Sequence, residues 1–503
     1  MTRSASSGTV SAALARGRLG TAHVVFFVVA AAAPLTVVAG GATTGYAVTG
    51  VTGIPVAYLV VAAVLGLFAV GYVAMSRHVV NAGAFYTYIR HGLGRPAGVA
   101  AAAVALVAYN AMQIGLYGGF GAVTADYLNS RYGAGVAWWV CALAAWAAVA
   151  VLGLLRIDLN GRILAAVLIA ECAVVVVFDA VMITHPAPPG VTLDTLHPGL
   201  VVSAGIGAAL VTAITGFVGF EGTTVFSEET RDPRRTIARA TFIAVGLTGL
   251  LYAGSAWAMS VATGPHRIVD AARTDGTELI FTLTAPHLPD TLITLARLLF
   301  ITSLFAALLS FHHTVARYLF ALGREQVLPA VLGRTSRRTG APKTGSLVQS
   351  ALAVLVLAVY AATGADPVVH LFFWITVTGG LGVLILMTAT SLAVAGFFHR
   401  QTPAIRQIEG TWRTRLAPLL AAVALAAILT ATLTEFATLL GVDPTSPLRW
   451  MFPATYAVAA AIGTAWAHVL RRTRPDVYAA IGLGADSVTA GTRTTASTHH
   501  QHV

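Results

Sequence analysis

Charge is what this 503-residue sequence has least of. Asp, Glu, Lys and Arg make up 10% of it and hydrophobic residues 57%, whereas an ordinary soluble domain is about 25% charged. With a mean hydropathy of +0.78, a soluble globular fold is excluded and the chain reads as a polytopic membrane protein. Cysteine is nearly absent: Cys141 and Cys172 both lie in apolar runs, which excludes a disulfide framework and leaves each as a small buried hydrophobe. Lys343 is the one lysine. No metal-ligand spacing occurs in an apolar run, so neither a metal nor another cofactor is expected. Acidic residues are scarce too, 20 against 31 Lys and Arg, for a formal charge of +11. In a soluble protein that excess would suggest nucleic acid, so the position of the basic residues has to decide its meaning.

What is present is apolar length. A spanning helix needs about 20 mostly apolar residues, and twelve such runs start near Ala22, Ile54, Pro96, Val136, Ile163, Leu200, Ile237, Thr291, Leu347, Val368, Leu416 and Trp450. The first is longer than a signal-peptide core and lacks a convincing cleavage site, so it is expected to stay in the bilayer. With both ends in the cytoplasm, every Lys and Arg falls inside except Arg131, Arg267, Arg273 and Arg449, which fall outside, and Arg297, which falls within a span. The opposite orientation inverts that ratio. Basic loops facing cytosol and anionic lipid account for the charge. No nucleic-acid partner is expected; the expected location is the plasma membrane, multi-pass, with both termini cytoplasmic.

The polar interruptions are few and therefore informative. In TGFVGFEGTTVFSEETRDPRRTIAR, residues 215–239, Gly216, Gly219 and Gly222 break an apolar run around Glu221. The first run, FFVVAAAAPLTVVAGG, is interrupted by Pro34, which removes a donor and clashes with the preceding turn. The two interruptions stand five helices apart, the pattern of paired discontinuous helices around a midplane site. Asn110 and Gln113 share one face of the third run, where they serve either helix-to-helix hydrogen bonding or substrate. Glu171, inside the fifth run, faces the bundle interior or is protonated, as a structural hydrogen bond or a proton-coupling group. Asp179 and Glu435 lie near outer ends, and Arg297 has no evident partner. Ser76 to Gly94 reads as an amphipathic segment at the inner interface, and Glu228 to Arg239 as a cytoplasmic loop. His312 and His313 point about 100° apart on a helix and cannot both face one cavity. The polar tail from Arg471, with His499, His500 and His502, is expected to be disordered.

GFVGFEGTTVFSEETRDPRRTIARAT, ARYLFALGREQVLP and YVAMSRHVVNAGAFYTYI together carry a resemblance to the amino acid permeases of the amino acid–polyamine–organocation (APC) superfamily, running from about Ala22 to Arg472. The resemblance implies an all-α integral membrane protein with 12 transmembrane helices. These form a five-plus-five inverted repeat with discontinuous helices 1 and 6, plus two extra helices. On that scheme residues 1–20 form an N-terminal tail, 21–198 the first repeat, 199–400 the second, 401–470 the last two helices and 471–503 the C-terminal tail. It also implies a secondary carrier for an amino acid or related amine, working by alternating access through proton symport or exchange, and not an enzyme. The substrate would be gripped by Ala33, Pro34, Leu35 and Thr36 and by Gly216, Phe217, Gly219, Phe220 and Gly222, with Asn110 and Gln113 as further candidates and Glu171 and Glu221 as coupling groups. Pro34-Leu35-Thr36 stands where relatives commonly carry a Gly-Ser-Gly-type break. The alternatives are a channel or transport-dead sensor on the same scaffold, or a membrane-embedded enzyme.

Overall fold

A computed structural model describes residues 21–79, 83–154, 161–224, 232–336 and 340–484, and among these every regular element is helical. The first run is split into α1 (Thr21–Ala32) and, after a wide π-type stretch at Thr36–Ala42, α2 (Thr43–Thr49). Next come α3 (Ile54–Ser76), α4 (Ala84–Leu93), α5 (Arg95–Tyr132), α6 (Trp138–Leu152) and α7 (Gly161–Thr184). The second half begins with α8 (Ile206–Phe217) and α9 (Pro233–Thr263), then two short helices, α10 (Ile268–Asp275) and α11 (Leu279–Thr284). It continues with α12 (Asp290–Arg324), α13 (Lys343–Thr363) and α14 (Trp374–His399). The chain closes with α15 (Pro403–Thr411), α16 (Ala417–Thr434), α17 (Phe436–Leu440), α18 (Leu448–Thr473) and α19 (Pro475–Ala480).

Nine of the described helical segments are long and apolar enough to cross a membrane. The other three apolar runs differ for visible reasons. The first is broken, the fourth holds only the 15 residues of α6, and the twelfth, α18, carries Pro453 inside it and Arg471 and Arg472 in its last turn.

Two groups of helices meet at the centre. In one, α3 packs on α8 and α9, with α1 against α9; in the other, α5 packs on α6 and α12, with α13 against α12. Helix α1 also touches α12, and α14 contacts α5, α3 and α8, so the two groups are joined around α1 and α14. Small residues set the spacing, as expected where lipid gives helices no hydrophobic reason to associate. A Cβ on Gly380 of α14 would lie 2.0 Å from Thr215 Oγ1 of α8, so no larger residue fits that crossing.

Three polar segments are placed differently from the sequence expectation. Helix α4 packs on α5 and α14, and its Phe85, Tyr86, Tyr88 and Ile89 are buried, Phe85 and Tyr88 against Tyr72 of α3, so its aromatic face is covered by protein rather than lipid. Of the charged loop, residues 225–231 lie outside the described residues, while Asp232 already caps α9, accepting the Arg235 N–H at 3.3 Å. The tail does not lose order at Arg471. Helix α18 continues to Thr473, α19 follows, and Gly482 and Gly484 donate their N–H groups to Glu325 at 2.7 and 2.8 Å. Both glycines have φ near +60 to +80°, which lets consecutive turns aim their donors at one carboxylate. His499, His500 and His502 lie outside the described residues.

Candidate functional site

The first break follows from the sequence around Pro34. A residue before proline is disfavoured in the helical region, and Ala33 takes φ 42°, a conformation costing an L-residue roughly 1–2 kcal/mol. Helix α1 therefore stops at Ala32. The carbonyl freed there, Ala32 O, accepts the Tyr252 hydroxyl at 2.8 Å. On the far side of the break, the Thr36 N–H points at Ser303 Oγ of α12 over a long 3.4 Å. Ser303 also lies close to the carboxyl group of Glu171, a residue only 2% exposed. The Ser303 hydroxyl thus stands between the N-terminal end of the second half of the broken helix and an acid in α7.

The second break is made by glycine. After α8 ends at Phe217, Val218 is extended and Gly219 takes φ 121°, beyond which Phe220–Thr223 form one 3₁₀ turn. Glu221 folds back on this break. Its Oε2 accepts the Gly219 N–H at 2.9 Å and its Oε1 accepts the Tyr109 hydroxyl at 2.7 Å, while its carbonyl accepts the Tyr72 hydroxyl at 2.9 Å. Glu221 is fully buried and acts in this conformation as the local cap of the break.

A cavity of about 50 Å³ lies between the breaks. From the first break it takes Ala33 and Thr36, from α8 Thr212, Thr215 and Gly216, and from α3 Tyr58. Its remaining walls come from α5 (Met112, Leu116), α12 (Ala307, Phe311) and the start of α14 with the turn before it (Phe372, Phe373, Thr376). Thr36 Oγ1 and Tyr58 Oη are both buried without a hydrogen-bond partner, a costly condition that points to a polar guest. A second, smaller void of about 10 Å³ lies beside Glu221, Tyr109, Gly219, Gly222, Ser310 and Thr314. Ala31 and Phe311 line both spaces and so stand between them.

The expected site residues divide among these surroundings. Ala33, Thr36 and Gly216 line the larger cavity; Gly219, Glu221 and Gly222 line the smaller. Pro34 and Leu35 are buried but line neither. Phe217 packs on Tyr58 and Tyr252, with ring centroids 6.2 and 5.6 Å apart, and Phe220 stands edge-on to Phe68 at 6.0 Å, so both are core aromatics here. Asn110 donates to Leu106 O in its own helix at 2.6 Å. Gln113 belongs to a buried network away from both cavities, within 3.2 Å of His312 Nδ1 and bonded by Gln349, while His312 Nε2 meets Ser346 Oγ at 2.7 Å.

Other lone polar residues acquire partners that sequence alone did not show. Arg297 pairs with Glu278 at 2.8 Å, and Asp179 accepts the Ser255 hydroxyl at 2.7 Å. Glu435 caps α8, accepting the N–H groups of Gly205 and Gly207 at 3.0 and 2.8 Å. Sequence reading also missed Tyr58, Met112, Phe311 and Phe372 as cavity residues, because each is an unremarked apolar or aromatic position in an apolar run. Among the described residues no group of three or more His, Cys, Asp or Glu is arranged to hold a metal.

Proteins described as uncharacterized transporters from Mycobacterium tuberculosis and Mycobacterium bovis are 34% identical over 114 residues, 23% of this chain. The match spans 24% of those relatives' length. A sequence model of the family described as Amino acid permease, by contrast, matches residues 23–474. With two broken helices enclosing a cavity and a match over nearly the whole described chain, this multi-pass membrane protein belongs to the amino acid permease family of the APC superfamily.

Proposed function

We propose that the protein is a secondary carrier that binds the zwitterionic end of an amino acid in the cavity between the two breaks and moves it by alternating access. The observation that carries this reading is the meeting of two interrupted helices at a cavity holding the unpartnered hydroxyls of Thr36 and Tyr58. The helical stretch from Thr36 to Thr49 presents its N-terminal end there, with about half a positive charge, and suits the carboxylate. The C-terminal end of α8, at Thr215 and Gly216, suits the ammonium. Thr36 supplies a second donor to the carboxylate. Tyr58 Oη, about 3.4 Å from where a Cβ on Gly216 would stand, supplies an acceptor beside the ammonium.

The reading extends to coupling and topology. The position of Ser303, which accepts from the Thr36 N–H and lies close to Glu171, supports Glu171 as the group that exchanges a proton with the state of the site. Glu221, already held by two donors, is the less mobile acid and serves as the cap that must release Gly219 when the break rearranges. Twelve spans in a five-plus-five repeat with two added helices, in the plasma membrane with both termini cytoplasmic, are supported by the run count and by the distribution of Lys and Arg.

Reconstituted into proteoliposomes, the protein is expected to give saturable counterflow of an amino acid, lowered at least tenfold in apparent affinity by Tyr58→Phe. Conductance without counterflow would establish a channel instead, and conversion of substrate to product an enzyme.

A further inference from the structure

We infer that the substrate is a net-neutral amino acid with a very small apolar side chain, of the size of glycine or alanine. This rests on the carrier reading above and adds to it the nature of the third substituent. Three features of the cavity carry it.

The first is charge. Among the described residues, no Asp, Glu, Lys, Arg or His lines the larger cavity. Glu171 is not among its lining residues, and Glu221 belongs to the smaller void beyond Ala31 and Phe311. A lysine ammonium or a second carboxylate on the substrate would be buried without a counter-charge, which is among the most costly arrangements in an apolar site.

The second is hydrogen bonding. Five hydroxyls line the cavity, but those of Thr212, Thr215 and Thr376 donate to Ala208 O, Val211 O and Phe372 O of their own chain stretches at 2.9, 2.8 and 2.6 Å. The two left over, on Thr36 and Tyr58, stand at the breaks, where the zwitterionic end is held. What faces the side chain is Met112, Leu116, Ala307, Phe311, Phe372 and Val377. An apolar wall of this kind favours an alkyl group, although it rejects an added hydroxyl only modestly, by about 100-fold at most.

The third is size. A cavity of about 50 Å³ is small beside the ~150 Å³ of an engineered apolar cavity that holds benzene, which favours the smallest side chains. Leucine, with about three more carbon atoms than alanine, needs Met112 or Leu116 to move.

The test is competition against counterflow of labelled alanine in proteoliposomes of the full chain preloaded with alanine, using glycine, leucine, lysine and glutamate. Glycine is expected to compete within about tenfold of alanine, leucine at least tenfold worse, and lysine and glutamate on the order of 100-fold worse or more. Leu116→Ala, which opens the apolar wall, is expected to improve leucine relative to alanine. Gly216→Ala would place a Cβ 2.8 Å from Val37 and 3.3 Å from the Tyr58 ring, and is expected to weaken alanine more than glycine. Lysine or glutamate competing as well as alanine overturns the inferred substrate class while leaving a carrier. Failure of alanine and of all four competitors to exchange, with the protein eluting as a single folded species, overturns the carrier reading itself. The wild-type competition profile decides the matter even if a variant fails to fold.

Discussion

Gly219→Ala is the most demanding test of how the second break is built. At φ 121° the backbone lies where a residue with a Cβ is strained by about 1–3 kcal/mol. The added methyl would also stand 2.8 Å from Ala31 Cβ and 3.2 Å from the Ala31 carbonyl carbon, an overpacking worth about 1–3 kcal/mol. Together these cost roughly 2–6 kcal/mol, against a total stability on the order of 5–15 kcal/mol. Gly222→Ala, three residues along the same break, is the control: it has no positive φ, and nothing lies within 4 Å of its Cβ position. The pair is compared by thermal unfolding of the purified protein in detergent and by counterflow. Gly219→Ala should lower the midpoint clearly and lose most transport, Gly222→Ala should change little in either, and Gly219→Leu should abolish transport while still inserting. Equal behaviour of the two alanine variants would refute the claim that the Gly219 conformation holds the site together.

Three other changes follow from particular contacts. Glu171→Gln keeps an acceptor for Ser303 but cannot exchange a proton, so the pH profile of uptake should flatten with substrate affinity retained; an unchanged profile removes Glu171 from coupling. Glu435→Ala leaves the Gly205 and Gly207 N–H groups at the start of α8 without acceptors, at a cost of about 1–3 kcal/mol, read as a lower unfolding midpoint without a shift in substrate preference. Glu325→Gln turns one of the two carboxylate oxygens that accept from Gly482 and Gly484 into an amide donor, and losing about 1–3 kcal/mol there should speed limited proteolysis within residues 475–484.

The contact between the first break and Glu171 gives the coupling proposal a definite physical form. A serine hydroxyl can donate and accept at once; Ser303 accepts from the Thr36 N–H and lies close to the Glu171 carboxyl group. Under the proposed binding mode, a substrate carboxylate arriving at Thr36 would compete for that N–H and free the serine to turn. On that proposal the protonation of Glu171 and the occupation of the cavity would bias each other through one hydroxyl, without a long relay.

What could be read from the sequence was set by short-range chemistry. Pro34 has no amide hydrogen and restrains Ala33, and glycine at 219 permits a backbone angle that other residues resist, so both breaks were visible from residue identity. The run lengths and scarcity of charge likewise fixed membrane residence, because an unpaired polar group is costly in hydrocarbon wherever it lies. Which residues face the cavity was decided by helix rotation and crossing. Gln113 drew notice as a polar residue in an apolar run, yet it turns into a network with His312, while its neighbour Met112, about 100° around the same helix, meets the cavity. Phe217 sits one residue from Gly216 and packs into the core instead. Glu435 and Glu325 found their partners 230 and 157 residues away, and Arg297 its own 19 residues back. An apolar helix in lipid has almost no amphipathic stripe to reveal its buried face, and so the sequence determined where the chain breaks, while only the packing of the helices decided what those breaks enclose.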